Sequence, residues 1–591
     1  MELESTNIPI SIEALIPENY DEKTSILLKN NMFKEALESG QSCLSLSQNE
    51  NPPNNIAISV SYHHIGKALL ALGKYKEALS SHNESLKLKE QYLGVDHPEV
   101  AVSLEQIGKV YTKLALYDQA LEYLNRALNI RESKLNSNDP KLALSYTSIG
   151  KLAYTKGDYE KAWELFTKAL GIINVEKIIQ ESEIDEEIGS IASRTLHSLG
   201  ILFRIQGKFD ESLENFNKAL DIKKRIYSEK HLEIAGTLYQ IGAVYSYRSQ
   251  YDKALEYYNE ALEMRKQIFD FQHPEIGKSY EEIASVLNKK GQYNTALEMA
   301  TKAFEIYQNY FSQNHPSVAS IYGQLSSIKE KQGNFKKAID DAEKALEIFL
   351  NLFGKNHVEV GRSYMTIANV YQSQKEYEKS LKRYNEALKI YQGIFGEKHP
   401  LTALAYNNIG LTLVNMGQFN KGLENLEIAK NIQIEIFGPE FLDLFVTYKG
   451  IGYAYLRRGD INGALEQYNL SLAICKKGFG PNQPMIQNIY EHLAFLYTCR
   501  NQHLEAIKYY NMAIRISIEH LGPSHPKTMT NYLNIGRLLI RHGDVKGAEY
   551  YTRKVLKINK EFKGGDALVN QAKDSMKSWE VRQIYCNPNL P

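Results

Sequence analysis

The sequence predicts an all-α solenoid of about thirteen helical hairpins closed by a C-terminal capping helix. Three observations carry that expectation. First, the pair Ile409-Gly410 recurs as Ile65-Gly66, Ile107-Gly108, Ile149-Gly150, Leu199-Gly200, Ile241-Gly242, Ile283-Ala284, Leu325-Ser326, Ile367-Ala368, Ile451-Gly452, Leu493-Ala494 and Ile535-Gly536, in steps of 42 residues with one step of 50 between Gly150 and Gly200. A period of that length marks an array in which each unit packs mainly on its neighbours. Second, every unit holds two apolar stripes at helical spacing. Third, glycine and proline fall at fixed offsets between the stripes, where helices stop and start.

Residues 1–20 hold Pro9 and Pro17 and lack a helical period, so they read as an extended or mobile lead-in. Residues 21–170 contain one degenerate unit and three full ones. The degenerate unit is recognised because Phe33 and Ala36 lie 42 residues before Tyr75 and Ala78. With the small residue of each pair taken as position zero, Tyr406, Ile409 and Leu413 fall at −4, −1 and +3, on one face of a first helix, A. Tyrosine recurs at −4 (Tyr62, Tyr146, Tyr280, Tyr322, Tyr364, Tyr448, Tyr490, Tyr532) and is read as core packing. Glycine at +7, as at Gly73, ends helix A in left-handed backbone. Helix B follows with an aromatic at +9, a small residue at +12 and alanine at +19. Small residues at zero and +12 let the two helix backbones cross closely.

Residues 171–195 add eight residues and the acidic cluster Glu181, Glu183, Asp185, Glu186 and Glu187. They read as a solvated loop or an extension of helix B, with an acidic hinge as the alternative. Nine units follow over 196–563. Gly564-Gly565-Asp566 then breaks the chain, and 566–585 reads as a helix whose Leu568, Ala572, Met576, Trp579 and Ile584 cover the apolar end of the stack. A frayed tail, 586–591, completes the chain.

The pattern aromatic, x, x, Ile/Leu, Gly, x, x, aromatic/Leu, then Ala, aromatic and Ala at the offsets above, resembles the tetratricopeptide repeat over about residues 20–563. The 42-residue length and the proline just before helix A, as in His97-Pro98 and His399-Pro400, resemble the repeats of kinesin light chains and the nephrocystin family. The resemblance implies a right-handed superhelix whose A helices line a concave groove, with positions −3, −2 and +1 facing a bound peptide. Transferred by phase, these include His63, His64 and Lys67; Glu105, Gln106 and Lys109; Thr147, Ser148 and Lys151; Met365, Thr366 and Asn369; Asn407, Asn408 and Leu411; Leu533, Asn534 and Arg537. The candidate groove residues are Lys67, Gln106, Lys109, Lys151, Asn369, Asn407, Asn408, Asn534 and Arg537. A lysine row suits acidic side chains, and carboxamides suit the backbone of an extended peptide. The competing reading is an ordinary solvated helix face.

Composition narrows the function. Seventy basic residues balance seventy acidic ones and are dispersed, which points away from nucleic acid. No basic start with a long apolar run and no 18-residue apolar segment argues for membrane insertion. Cys43, Cys475, Cys499 and Cys586 lack metal or disulfide-framework spacing, which fits a cytoplasmic protein. Seven of fifteen histidines (His97, His231, His273, His315, His357, His399, His525) stand eleven residues before position zero, which indicates a repeated turn-and-capping role and not a metal site. Gly277-Lys278-Ser279 fails as a phosphate loop because Gln272 replaces its first glycine, and Gly450-Ile451-Gly452 lies inside a helix A. No GxSxG, HExxH or CxxC occurs, so no cofactor, metal or catalytic activity is expected. The expected function is a non-enzymatic protein-interaction scaffold. The alternatives are a motor-cargo adaptor similar to kinesin light chains, with a kinesin or cytoskeletal link implied by resemblance alone, and a peptide-responsive regulatory sensor. No sustained a/d heptad precedes the first unit, which argues against motor attachment.

Overall fold

A computed structural model describes residues 20–562 apart from 51, 182 and 524. The lead-in expected over residues 1–19, the capping helix over 566–585 and the tail 586–591 lie outside the described residues. Among the described residues there are 27 helices and no strand. They form thirteen hairpins, from Tyr20–Lys29 with Phe33–Asn49 (repeat 1) to Pro526–Arg541 with Val545–Phe562 (repeat 13), plus one short extra helix. The chain packs as two bodies, Met1–His399 with repeats 1–9 and Pro400–Pro591 with repeats 10–13.

Local chemistry sets each boundary. The residue at +7 is left-handed in every repeat: Gly73 has φ 73°, and where glycine is absent Asn31, Ala115, Ser249, Lys375 and Asn501 take φ of 56° to 63°. That twist lets the amide of Lys74 donate to the carbonyl of Leu69 at 2.9 Å and so satisfies a terminal helix carbonyl. At the start of helix A, His97 caps the helix: its Nδ1 accepts from the amide of Glu99 at 3.2 Å, with Pro98 in the first turn. The same bond recurs at His231, His273, His315, His357 and His525.

Position zero is small because the partner helix leaves no room. A Cβ on Gly150 would lie 2.6 Å from the Phe166 ring, and one on Gly410 would lie 2.7 Å from Leu426 and 2.8 Å from the Gly422 carbonyl. The tyrosines at −4 divide. Tyr146, Tyr490 and Tyr532 are buried, as core packing requires. Tyr280, Tyr322 and Tyr364 are half-buried, with Lys302, Lys344 and Arg383 of helix B at 5.6, 5.3 and 5.5 Å from the ring centroids. These rings stand at the margin of the A–B interface, where a cation covers the outer face.

The insertion forms the short helix Val175–Gln180 after left-handed Asn174, and helix A of repeat 5 starts early at Glu186 under an Asp185 cap, 3.0 Å from the Ile188 amide. Ile178 joins Leu142, Ile173, Ile191, Leu196 and Ile222 in one apolar cluster, so packing continues through it.

Within the first body the array coils onto itself every six repeats. His357 Nε2 lies 3.0 Å from the carbonyl of Lys113, His315 Nε2 3.5 Å from that of Ala71, and His273 Nε2 3.4 Å from that of Asn31. His399 bonds the Thr155 backbone in the same way. Each histidine stacks on the aromatic four residues earlier: Phe269, Phe311, Phe353 and Phe395 at 3.6, 3.5, 3.8 and 3.8 Å. Across the contact Phe353 stacks on Tyr75 and Phe395 on Tyr117. A carbonyl only accepts, so Nε2 carries the proton, while Nδ1 accepts at the cap; the ring is the neutral Nε2–H tautomer. The histidines therefore cap their helices as expected and also form a seam between successive turns. His97 and His231, in repeats with no predecessor six units back, are only half-buried.

Candidate functional site: the inner face of the A helices

Position −3 does not serve a ligand uniformly. Glu105 is buried and pairs with Arg131 at 3.0 Å, while Arg131 also donates to Ser145 at 2.5 Å. Thr147 bonds Thr195 at 2.8 Å. Met365, Asn407 and Leu533 are likewise buried, Asn407 being only 4 % exposed. The transfer by phase expected these positions to face the groove. Adjacent A helices instead pack side by side closely enough to enclose them.

Positions −2 and +1 remain accessible in most repeats, although Ser198 and Gly450 at −2 are buried. Gln106 and Asn408 are half-buried, and Asn369 is exposed and accepts from the Tyr384 hydroxyl at 2.5 Å. In the second body Arg537 is exposed and donates to half-buried Asn534 at 3.4 Å. Lys67, Lys109 and Lys151 are half-buried on three successive A helices of the first body.

Three other cations of the first body are structural. Lys89, Lys223 and Arg265, all at +23 and almost fully buried, pair with Glu99, Glu233 and Glu275 of the next repeat at 3.1, 2.7 and 3.0 Å. Lys67, Lys109, Lys151 and Arg194 differ, since among the described residues no carboxylate lies within ion-pair distance of them. Burial, reinforced by the Arg194 charge, lowers the Lys67 ammonium and pushes Lys151 down to about 7. Burial also takes Lys109 to about 8, against the opposing pull of Glu105. Low-dielectric surroundings without a directly paired carboxylate disfavour the protonated amine. Arg194 was missed in the sequence because it stands at −6, outside the transferred positions. The only hint was that −6 is basic again at Lys278 and Arg362 but Val60, Val102 and Leu144 in earlier repeats.

Among the described residues, no group of three or more His, Cys, Asp or Glu could hold a metal, and no helix is long and apolar enough to cross a membrane. What the face presents is hydrogen-bonding and cationic side chains on a rigid helical wall, the geometry of a helical-hairpin scaffold. A family model for the tetratricopeptide repeat matches residues 57–133, 99–174, 191–267, 275–351, 359–419, 401–477 and 485–561, so the chain belongs to the tetratricopeptide-repeat family. Proteins of this family are interaction scaffolds and generally not enzymes. No curated protein matches the chain. Among solved structures it is similar to the nearly identical TPR-like repeats of a putative kinesin light chain from Podosopora anserina (20 % identity over 35 % of this chain and 97 % of that one, TM-score 0.30). It is also similar to BtubC (BKLC) from P. vanneervenii (20 %, 40 % and 93 %, TM-score 0.30) and to a Rap protein complexed with competence and sporulation factor (14 %, 64 % and 99 %, TM-score 0.44).

Proposed function

We propose that this chain is a non-enzymatic cytoplasmic scaffold that holds acidic segments of partner proteins on the inner face of its A helices. The observation that carries the reading is the row Lys67, Lys109 and Lys151, three half-buried ammonium groups in register without carboxylate partners. A solvated-face explanation leaves their enclosure unexplained, because an idle lysine gains by extending into water. In this reading Gln106 and Asn369 in the first body, and Asn408, Asn534 and Arg537 in the second, bond the backbone of a bound segment. Asn407 is assigned to packing between A helices because it is buried.

The seam supports a second, regulatory form of the reading. A segment lacking a free end enters the first body only if turns joined by His273, His315 and His357 separate, so binding and opening are coupled. A motor-cargo role similar to that of kinesin light chains is a special case in which one partner is a kinesin heavy chain.

Affinity capture from native cytosol tests the proposal, with wild type beside Lys67→Glu/Lys109→Glu/Lys151→Glu and, separately, Asn408→Ala. Partners rich in Asp and Glu should disappear from the triple variant while its helical circular dichroism persists. Retention of every partner would move recognition to the outer surface and sink the proposal. Recovery of kinesin heavy chain with the wild type alone would establish the motor form.

A further inference from the structure

The seam fixes the pitch of the first body. In two of its contacts a histidine at −11 meets a carbonyl at +5 six repeats earlier, Ala71 or Lys113. Six repeats thus climb about 16 residues of helix, or about 24 Å, and three repeats climb about 12 Å, the length of about eight residues. Three repeats are also half a turn, so side chains that far apart face each other across the bore. Lys67 stands at +1 in repeat 2. The position level with it on the opposite wall, in repeat 5, is therefore close to −7, and Arg194 is at −6. Lys109 and Lys151, in the two intervening repeats, lie within about 8 Å of the same level along the axis. The electrostatic neighbourhood agrees: Arg194 acts on Lys67, Lys109 and Lys151 together, Lys67 on Lys109, and Lys109 on Lys151.

We propose that Lys67, Lys109, Lys151 and Arg194 form a site inside the bore for a compact anion carrying three or more negative charges on phosphate oxygens. The inference uses the lysines of the proposed peptide face but requires no peptide. Two carboxylates stand nearby, Glu105 and Glu233, and each is already engaged, by Arg131 and Lys223 respectively. Among the described residues, no ion pair therefore compensates these four side chains. They come from four A helices held by packing, so they cannot splay apart as surface lysines do. An extended acidic peptide places successive like charges roughly 7 Å apart along one line. Cations gathered near one level of the bore also match a group whose charges are gathered at one point. Arg194 supplies planar paired donors suited to phosphate, and the lysines supply point charges around it.

Anion binding restores protons to Lys151 and Lys109, which burial holds down to about 7 and about 8. Lys151 faces Arg194, Lys109, Lys223, Glu233 and His197, and Lys109 faces Glu105, Arg131, Arg194, Lys67 and His82. Only the phosphate oxygens would add negative charge to that set, so uptake of up to about 1.4 protons at pH 8 accompanies binding.

Inorganic tripolyphosphate is the probe, titrated calorimetrically into the full chain at pH 8 in two buffers of different ionisation enthalpy. The result expected is saturable binding with proton uptake, weakened about tenfold by each of Lys109→Gln, Lys151→Gln and Arg194→Gln, as loss of one charge-assisted contact implies. Lys151→Arg should retain binding, and Lys76→Gln on an exposed part of helix B should leave it unchanged. Absence of saturation by about 1 mM, or equal weakening by Lys76→Gln, overturns the inference. A hexaglutamate peptide is the second arm. Peptide binding without tripolyphosphate binding refutes the compact-anion site and leaves the peptide-scaffold reading standing, whereas tripolyphosphate binding without peptide binding does the reverse.

Discussion

His357→Ala isolates the seam because His97→Ala is its internal control. Both residues cap a helix A through Nδ1, each 3.2 Å from the amide two residues on. Loss of such a cap costs about 1 kcal/mol in either protein. His357 also donates through Nε2 to Lys113 at 3.0 Å, a bond of about 1 kcal/mol, and its stack on Phe353 at 3.8 Å contributes about another 0.5–1.5 kcal/mol. The difference between the two variants is therefore about 1.5–2.5 kcal/mol. Unfolding of a repeat array is not a single two-state step, so a melting midpoint is the wrong readout. Native-state hydrogen exchange reads local opening directly. In His357→Ala, amides near the Lys113 carbonyl, such as Leu114 and Leu116, should exchange roughly ten to seventy times faster, although they are 240 residues away in sequence. In His97→Ala only the first turn after residue 97 should change. Equal effects in the two variants, or unchanged exchange in repeat 3 of His357→Ala, would show that the turns do not bear on each other.

Acid should open the same seam. Burial pushes His315 and His399 down to about 4 and lowers His273 and His357, so the unfolded chain binds protons that the folded one refuses. Stability from these groups is present above about pH 6.5 and is lost as pH falls toward 4, seen as a rise in the radius of gyration by small-angle scattering that His273→Asn/His315→Asn/His357→Asn reduces. Gly150→Ala places a methyl 2.6 Å from the buried Phe166 ring and should cost about 1–3 kcal/mol, with partial rescue by Phe166→Leu in a double-mutant cycle read by urea denaturation. Glu105→Gln strands Arg131, which is 2 % exposed, and should cost about 3–5 kcal/mol. Lys109→Gln, one turn further along the same helix, should be neutral or stabilising, since it removes an uncompensated charge; a large loss there would make Lys109 structural.

Much of the architecture was legible because it repeats. Position zero, the left-handed +7 and the histidine cap are each set by contacts within one hairpin or between neighbours, so the same residue types return every period. Ala115, Ser249 and Lys375 show the limit: the turn forces a positive φ there without glycine, because the flanking helices over-determine the backbone. Of the candidate face, the lysine row was visible as a phase, while Asn407 and the burial of Glu105 were not, since they depend on how closely adjacent A helices approach.

The sequence by itself determined the hairpins and their number, though not the early start of helix A in repeat 5 at Glu186, because short-range sterics and helix periodicity act within some forty residues. Tertiary structure alone decided that six repeats make a turn in the first body and that its turns touch. Those facts follow from a small rotation and rise per repeat, accumulated over six units. No single residue encodes that angle; it is the sum of many packing contacts, which a periodic sequence repeats without displaying their total.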